Sequence, residues 1–324
     1  MNGAKTGEGD AAAPHPYYQA ILDRYAELGR PSFHQVSAQE ARAQLRAGSA
    51  ATPPPRGLPE LAAVDNLSIP GPGGPILLRR YRPQGKVLGA CVYLHAGGWI
   101  MGDLDFSDAT CRRLAAAANC EIVSVDYRLA PEHPYPAALD DAFAVLQWVH
   151  GWAEGPVLLA GESSGGNIAA ACAIRARDAG GPEVAGQFLA YPVTDAGLDT
   201  ASHRELGPRN WLLSTADMRS FWDHYCPTGV DRDDPLVAPL RLVDPAGLSP
   251  ALIFVADLDP LRDEGLAYAE RLAAAGVATR TRRDPGMLHG YLGAAGDVPL
   301  AAEALAEAGA WMRETIKKAK GDGA

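Results

Sequence analysis

The sequence predicts an α/β fold: a mainly parallel, doubly wound sheet with a helical cap. Three observations point there. Short apolar runs rich in β-branched residues alternate with helical patterns, one stretch near residues 196–240 breaks that rhythm, and a Gly-Glu-Ser-Ser-Gly turn joins one run to the helix after it. The runs are ILLRRY from Ile76, ACVYLH from Ala90, EIVSVDY from Glu121, PVLLAG from Pro156, QFLAYP from Gln187 and ALIFVA from Ala251, with a last strand expected around Thr279 to Arg283. Runs of this kind suit strands buried on both faces. Helical patterns lie between them at Ser107–Asn119, Ala137–Val149, Ser164–Asp178, Arg262–Ala275 and Ala301–Ile316, with Gly180 and Gly276 as stop signals.

Ahead of the sheet, residues 1–14 are rich in Gly, Ala and charge without periodicity and read as a loose tail. Tyr18, Ile21, Leu22, Tyr25 and Leu28 then recur at helical spacing, and a second short helix over Ser37–Leu45 opens with Ser37 and Glu40 in capping-box register. TPPPRGLP at 52–59 reads as a semi-rigid connector, because stacked prolines preclude helix. The domain reading is therefore a tail and N-terminal cap helices over 1–58, then a catalytic domain over 59–324 with a second cap insertion at about 196–240.

Composition narrows the function classes. Across 324 residues, 47% apolar and 21% charged usage is that of an ordinary globular chain. A net charge of −10 gives no general attraction to nucleic acid or to an anionic membrane, so neither is an expected partner. The five cysteines are odd in number, scattered and never in CxxC spacing, which predicts buried free thiols rather than disulfides or a zinc site. Neither a signal-peptide apolar core nor a run long enough to span a bilayer is visible, so the expected location is cytoplasmic.

The chemistry is carried by residues after the strands. Gly161-Glu162-Ser163-Ser164-Gly165 follows PVLLAG and precedes a helix, the strand-turn-helix context in which a GxSxG serine is pushed out above a sheet. The glycines leave room for so sharp a turn, and a helix N-terminus beside Ser163 favours a developing oxyanion. A serine hydroxyl needs a base and an orienting acid. Asp257, Asp259 and Asp263 follow ALIFVA, where a carboxylate reaches the crevice beyond the strand ends, and position alone does not choose among them. His289 is the only histidine after the last expected strand, giving the order Ser, Asp, His. After ACVYL, His95-Ala96-Gly97-Gly98-Trp99 offers unobstructed amides at Gly97 and Gly98, with that of Ser164 as a third donor; His95 reads as an orienter of this loop. Trp99, Trp211, Phe221 and Trp222 are the substrate-binding candidates, with Tyr17, Tyr18 and Tyr225 as further aromatic neighbours.

Taken together, YLHAGGW at 93–99, VDYRLAPEHPYPAALDD at 125–141, GESSGGN at 161–167, DLDPLRDEG at 257–265 and GMLHGY at 286–291 resemble the hormone-sensitive-lipase-like (bacterial family IV) carboxylesterases of the α/β-hydrolase superfamily, in order and spacing over nearly the whole chain. The resemblance implies Ser163 as nucleophile, His289 as general base and acid, Asp259 as orienting acid, and Gly97 and Gly98 as oxyanion donors. It also implies that Asp126, Arg128 and Glu132 form a structural polar network beneath the site. Ala96 departs from the family's first glycine, and Glu162 and Ser164 stand where Asp and Ala are usual; none of these removes a catalytic group.

The expected function is a serine carboxylesterase acting on small to medium acyl esters through an acyl-enzyme. An amide-directed deacetylase or formamidase would share the same triad. A non-catalytic receptor resembling the plant gibberellin receptor would lack the histidine that stands here at 289. No metal or organic cofactor is expected, since HExxH, P-loop and strand-linked GxGxxG patterns are missing. The expected partner is a small-molecule ester, with a homodimer left open.

Overall fold

The computed structural model describes residues 13–51 and 54–321; most of the expected tail and the first two residues of the connector lie outside them. Helices α1 (Pro16–Glu27) and α2 (Ala38–Ala51) come first. They are followed by β1 (Ala63–Gly71), β2 (Gly74–Arg82), β3 (Ala90–Leu94), α3 (Asp108–Ala118), β4 (Glu121–Asp126), α4 (Ala137–His150), β5 (Val157–Glu162), α5 (Ser164–Asp178) and β6 (Gly186–Ala190). The chain closes with α6 (Ala201–Leu206), α7 (Thr215–Tyr225), β7 (Ala251–Leu258), α8 (Arg262–Ala274), β8 (Thr279–Leu288) and α9 (Pro299–Ala319). The strands form one sheet in the order β1-β2-β4-β3-β5-β6-β7-β8.

From β4 to β8 every neighbouring pair is parallel, whereas β2 runs antiparallel to both β1 and β4. Side chains along the central strands alternate between two cores, as a period of two demands. Val92, Leu94, Leu159, Leu189 and Ile253 pack beneath α4, α5 and α8, while Cys91, Tyr93, Leu158, Phe188 and Phe254 pack against α3 and α9. Both faces are thus covered, and β3 and β5 are buried throughout. All five cysteines are buried and free. Among the described residues no helix is long and apolar enough to cross a membrane.

Three differences from the sequence reading are informative. β1 was not anticipated: Asp65, Asn66, Ser68 and Pro70 interrupt its apolar positions, and it sits at the sheet edge, where one side of the ladder needs no partner. β2 is not buried on both faces, since Leu77 is half exposed and Arg79 and Arg80 turn to Asp105 and Glu121. The expected Asp126-Arg128-Glu132 network does not form. Arg128 instead grips Asp141 with both Nε (2.9 Å) and an Nη (2.8 Å), Glu132 pairs with Arg42 of α2, and Asp126 joins neither. The ion pair to Arg42 takes the Glu132 carboxyl down to about 2.

Asp141 is 1% exposed, and its oxygens also accept the amide of Arg128. Arg128→Met therefore strands a buried carboxylate and is expected to destabilise the chain by about 2–4 kcal/mol, the upper end being tempered by the partial exposure of the arginine. Urea unfolding measures it, and a loss under about 0.5 kcal/mol would show the pair to be dispensable.

Candidate active site

Everything the site needs lies at the C-terminal ends of parallel strands: the loop 95–99 after β3, Ser163 after β5, Asp259 after β7 and His289 after β8. This is the edge at which open α/β sheets bind ligands. Ser163 occupies a left-handed conformation, φ 55° and ψ −119°, that an L-residue adopts only when its surroundings impose it. Those surroundings admit no Cβ atom at the glycines two residues to either side. A Cβ at Gly161 would fall 2.2 Å from the Gly165 carbonyl oxygen, and one at Gly165 would fall 2.0 Å from that of Leu94.

The imidazole of His289 bridges to two of the expected partners. Its Nε2 lies 2.8 Å from Ser163 Oγ and its Nδ1 lies 2.7 Å from Asp259 Oδ2. A carboxylate only accepts, so Nδ1 carries the proton and Nε2 is left to accept from the serine hydroxyl. Asp259 is fully buried, and its other oxygen accepts the amide of Leu261 at 2.9 Å. The competing acids are engaged elsewhere: Asp257 with Arg283, and Asp263 with Arg262 and the amide of Ser202.

Gly97 and Gly98 take positive φ values of 136° and 58°, and a Cβ at Gly97 would meet the Met101 carbonyl oxygen at 2.0 Å. Their amide protons, and that of Ser164, are taken by no acceptor among the described residues. His95 holds the loop from behind. Its Nδ1 donates to the Ala96 carbonyl at 2.8 Å, its ring stacks on Tyr127 at 4.1 Å, and burial drives its pKa down to about 4, leaving a neutral hydrogen-bonding group.

A cavity of about 590 Å³ opens over Ser163, Gly97, Gly98 and His289. Its walls are mostly apolar: Leu22 and Tyr25 of α1, Phe33, Leu45 of α2, and Trp211, Leu213 and Phe221 from the segment between β6 and β7. Of the aromatic candidates, Trp211 and Phe221 line it; Trp99 and Trp222 do not. Trp99 has a φ of 60°, which turns its ring inward onto Tyr225 at 4.4 Å and Trp222 at 4.5 Å, and both indoles are completely buried. Tyr18 is likewise buried, its hydroxyl donating to the Tyr291 carbonyl, and Tyr225 is buried behind the loop. Phe33 and Tyr25 were not singled out as wall residues; Tyr25 stands one turn beyond Leu22 on the same helical stripe, a usable signal, whereas Phe33 follows the helix and carries none. Among the described residues no three His, Cys, Asp or Glu side chains gather as metal ligands would.

The departure at Glu162 places a titratable group beneath the relay, with partners the sequence does not announce. Glu162, next to Ser163, is buried and accepts hydrogen bonds from the hydroxyls of Tyr93 and Tyr191, and Tyr191 in turn packs edge-on against His289 at 5.0 Å. Burial raises the carboxyl pKa, although the hydrogen bonds from the two tyrosines pull it back.

Comparison with known proteins agrees with this geometry. The family model described as alpha/beta hydrolase fold matches residues 91–293. The esterase LipI of Mycobacterium tuberculosis is 45% identical over 260 residues, spanning 76% of this chain and 80% of that protein. A thermostable esterase from Pseudomonas putida superposes with a TM-score of 0.86 at 33% identity, over 95% of this chain and 99% of that one. A hyperthermophilic esterase from Pyrobaculum calidifontis superposes at 0.85 with 35% identity, over 93% and 98%. The chain belongs to the α/β-hydrolase family and, within it, to the hormone-sensitive-lipase-like esterases.

A carboxyl whose pKa rises on folding holds its proton more tightly in the folded chain. Above its ordinary value of 4.5 the unfolded chain gives the proton up first, so the group subtracts stability as pH climbs. Glu162→Gln is expected to gain stability relative to the unaltered chain as pH rises from about 4.5 to neutrality. Urea unfolding at a series of pH values reads the difference; a gap that is flat or shrinking over that range would refute it.

Proposed function

We propose that this chain is a serine carboxylesterase acting on small to medium acyl esters, with Ser163 as nucleophile, His289 as general base and acid, and Asp259 as the orienting carboxylate. The observation that carries this reading is the unbroken Asp259-His289-Ser163 relay, at 2.7 and 2.8 Å, opening into an apolar cavity beside uncommitted amides.

His289 Nε2 takes the proton from Ser163 Oγ as it attacks the ester carbonyl, and Asp259 stabilises the imidazolium that forms. The carbonyl oxygen, now bearing the charge, is held by the amides of Gly97, Gly98 and Ser164, which need not reorganise because their backbone is already set. His289 returns the proton to the departing alcohol, leaving an acyl-serine. Water then enters, His289 deprotonates it, and collapse of the second tetrahedral intermediate releases the acid and restores Ser163. On this reading α1 and α2 together with the 196–240 segment form a two-part cap over the catalytic domain. The five free cysteines support a reducing, cytoplasmic location. The edge that β8 presents is the surface on which a homodimer would be sought.

Against a panel of p-nitrophenyl acyl esters, Ser163→Ala is expected to lose about a millionfold in turnover. Activity that survived the substitution would end the esterase reading. Asp259→Asn should cost about 10⁴-fold through the wrong imidazole tautomer, whereas Asp257→Asn and Asp263→Asn should stay within about tenfold of the unaltered chain. The opposite ordering would move the orienting role to a neighbour.

A further inference from the structure

We propose that the substrates this cavity selects are esters whose acyl part ends in a free carboxylate, bound at the cavity mouth by Arg30 and Arg209. The inference rests on the esterase reading of the same cavity and adds the charge of the molecule it takes.

Both arginines line the cavity, and neither has a carboxylate partner or a side-chain hydrogen bond among the described residues. Each is held against an aromatic wall instead. The Arg30 guanidinium lies 4.3 Å from the Tyr25 ring centroid and 5.7 Å from that of Phe33, and Arg209 lies 4.8 Å from that of Trp211. Stacking fixes the face of a guanidinium while leaving its N–H edge free, and that edge is the part that accepts a carboxylate in bidentate fashion. The two come from distant parts of the chain, brought together where Asn210 Nδ2 donates to Ser32 Oγ at 2.7 Å. Arg30 precedes one end of that bridge by two residues and Arg209 precedes the other by one.

The remaining charge on the wall does not cancel them. Asp217 lines the cavity too, but it is 1% exposed and its oxygens already accept from Ser214, from the His34 amide and from the His34 ring. The cavity mouth thus presents two uncommitted cations in a chain whose net charge is −10. An apolar interior with a cationic rim fits an ester that is uncharged at its reacting end and anionic at its far end. Arg30 is half-buried and Arg209 exposed, so their contribution belongs to ground state and transition state alike and falls on KM rather than kcat.

The test compares monomethyl half-esters of unbranched dicarboxylic acids, from succinate to suberate, with methyl esters of monocarboxylic acids of matching length, following proton release. The expected result is a preference of about tenfold in kcat/KM for at least one half-ester, expressed in KM and shrinking in 1 M salt, where the screening length is about 3 Å. In the Arg30→Gln/Arg209→Gln double variant the half-ester to neutral-ester ratio should fall to about one, a ratio being indifferent to any general loss of turnover. Arg219→Gln removes a cation of α7 that does not line the cavity and should keep the preference. A full series in which neutral esters are hydrolysed and no half-ester is favoured overturns the proposal, as does a preference that survives in the double variant. Failure of the underlying reading looks different: no ester of either kind is hydrolysed. Calorimetric titration of the Ser163→Ala chain with half-ester and neutral ester then decides the anion preference without chemistry, equal affinity for both rejecting it.

Discussion

The site depends on one backbone contact, between the first turn of α5 and the end of β3. At Gly165 a single added Cβ would sit 2.0 Å from the Leu94 carbonyl oxygen, so no other residue permits the approach. The residue after Leu94 begins the loop that carries Gly97 and Gly98, and the residue two before Gly165 is Ser163. Ser163 and the amides of Gly97 and Gly98 are therefore held relative to one another by main chain alone, and side-chain motion does not separate the two backbone segments. The left-handed φ at Ser163 follows from the same crowding: the turn reverses in so few residues that the serine is pushed out of the sheet plane, where His289 meets it.

Much of this was legible in the sequence, because the central strands are short apolar runs with no competing period, and because the turn announces itself by the glycines it cannot do without. What stayed hidden has specific causes. β1 alternates apolar with polar residues and closes on Pro70, so propensity alone argues against a strand; pairing with β2 overrides it. The three acids that follow ALIFVA are indistinguishable in the sequence, and they part only through their partners: arginines draw Asp257 and Asp263 aside, while Asp259 is buried where only His289 and a backbone amide reach it. Trp99 reads as a substrate-binding candidate, but a residue's direction is set by φ and ψ, which neighbouring letters do not encode. Glu162 reads as a harmless exchange until Tyr93, from the next strand, and Tyr191, from the end of β6, are seen to converge on it.

Helix α7 and the loop at 95–99 are not independent parts. The Phe221 ring lies so near Gly98 that a Cβ there would come within 2.5 Å of it, and Trp99, the next residue, stacks on Tyr225 and packs at a tilt against Trp222 of the same helix. The aromatic residues of α7 thus brace the loop from above, as His95 and Tyr127 brace it from below. The N-terminal helices are tied into the same assembly by polar contacts. Asp217 of α7 accepts from both the backbone and the ring of His34, and Arg42 of α2 donates to the carbonyls of Ile100 and Ala130 and pairs with Glu132.

This coupling has a consequence for how the enzyme can change its substrates. A substitution on the cavity-facing side of α7 alters pocket shape and loop support at once, because Phe221 serves both. Leu22 and Tyr25 of α1 line the cavity, and Arg30 and Phe33 just beyond them extend that wall. Selectivity can therefore vary along residues 22–30 with the amides at 97 and 98 undisturbed, whereas Phe33 packs on the Phe221 ring at 5.9 Å and a change at either aromatic bears on the ring's contact with Gly98. The division between the two cavity walls is thus set by which of them leans on the backbone at 97–99.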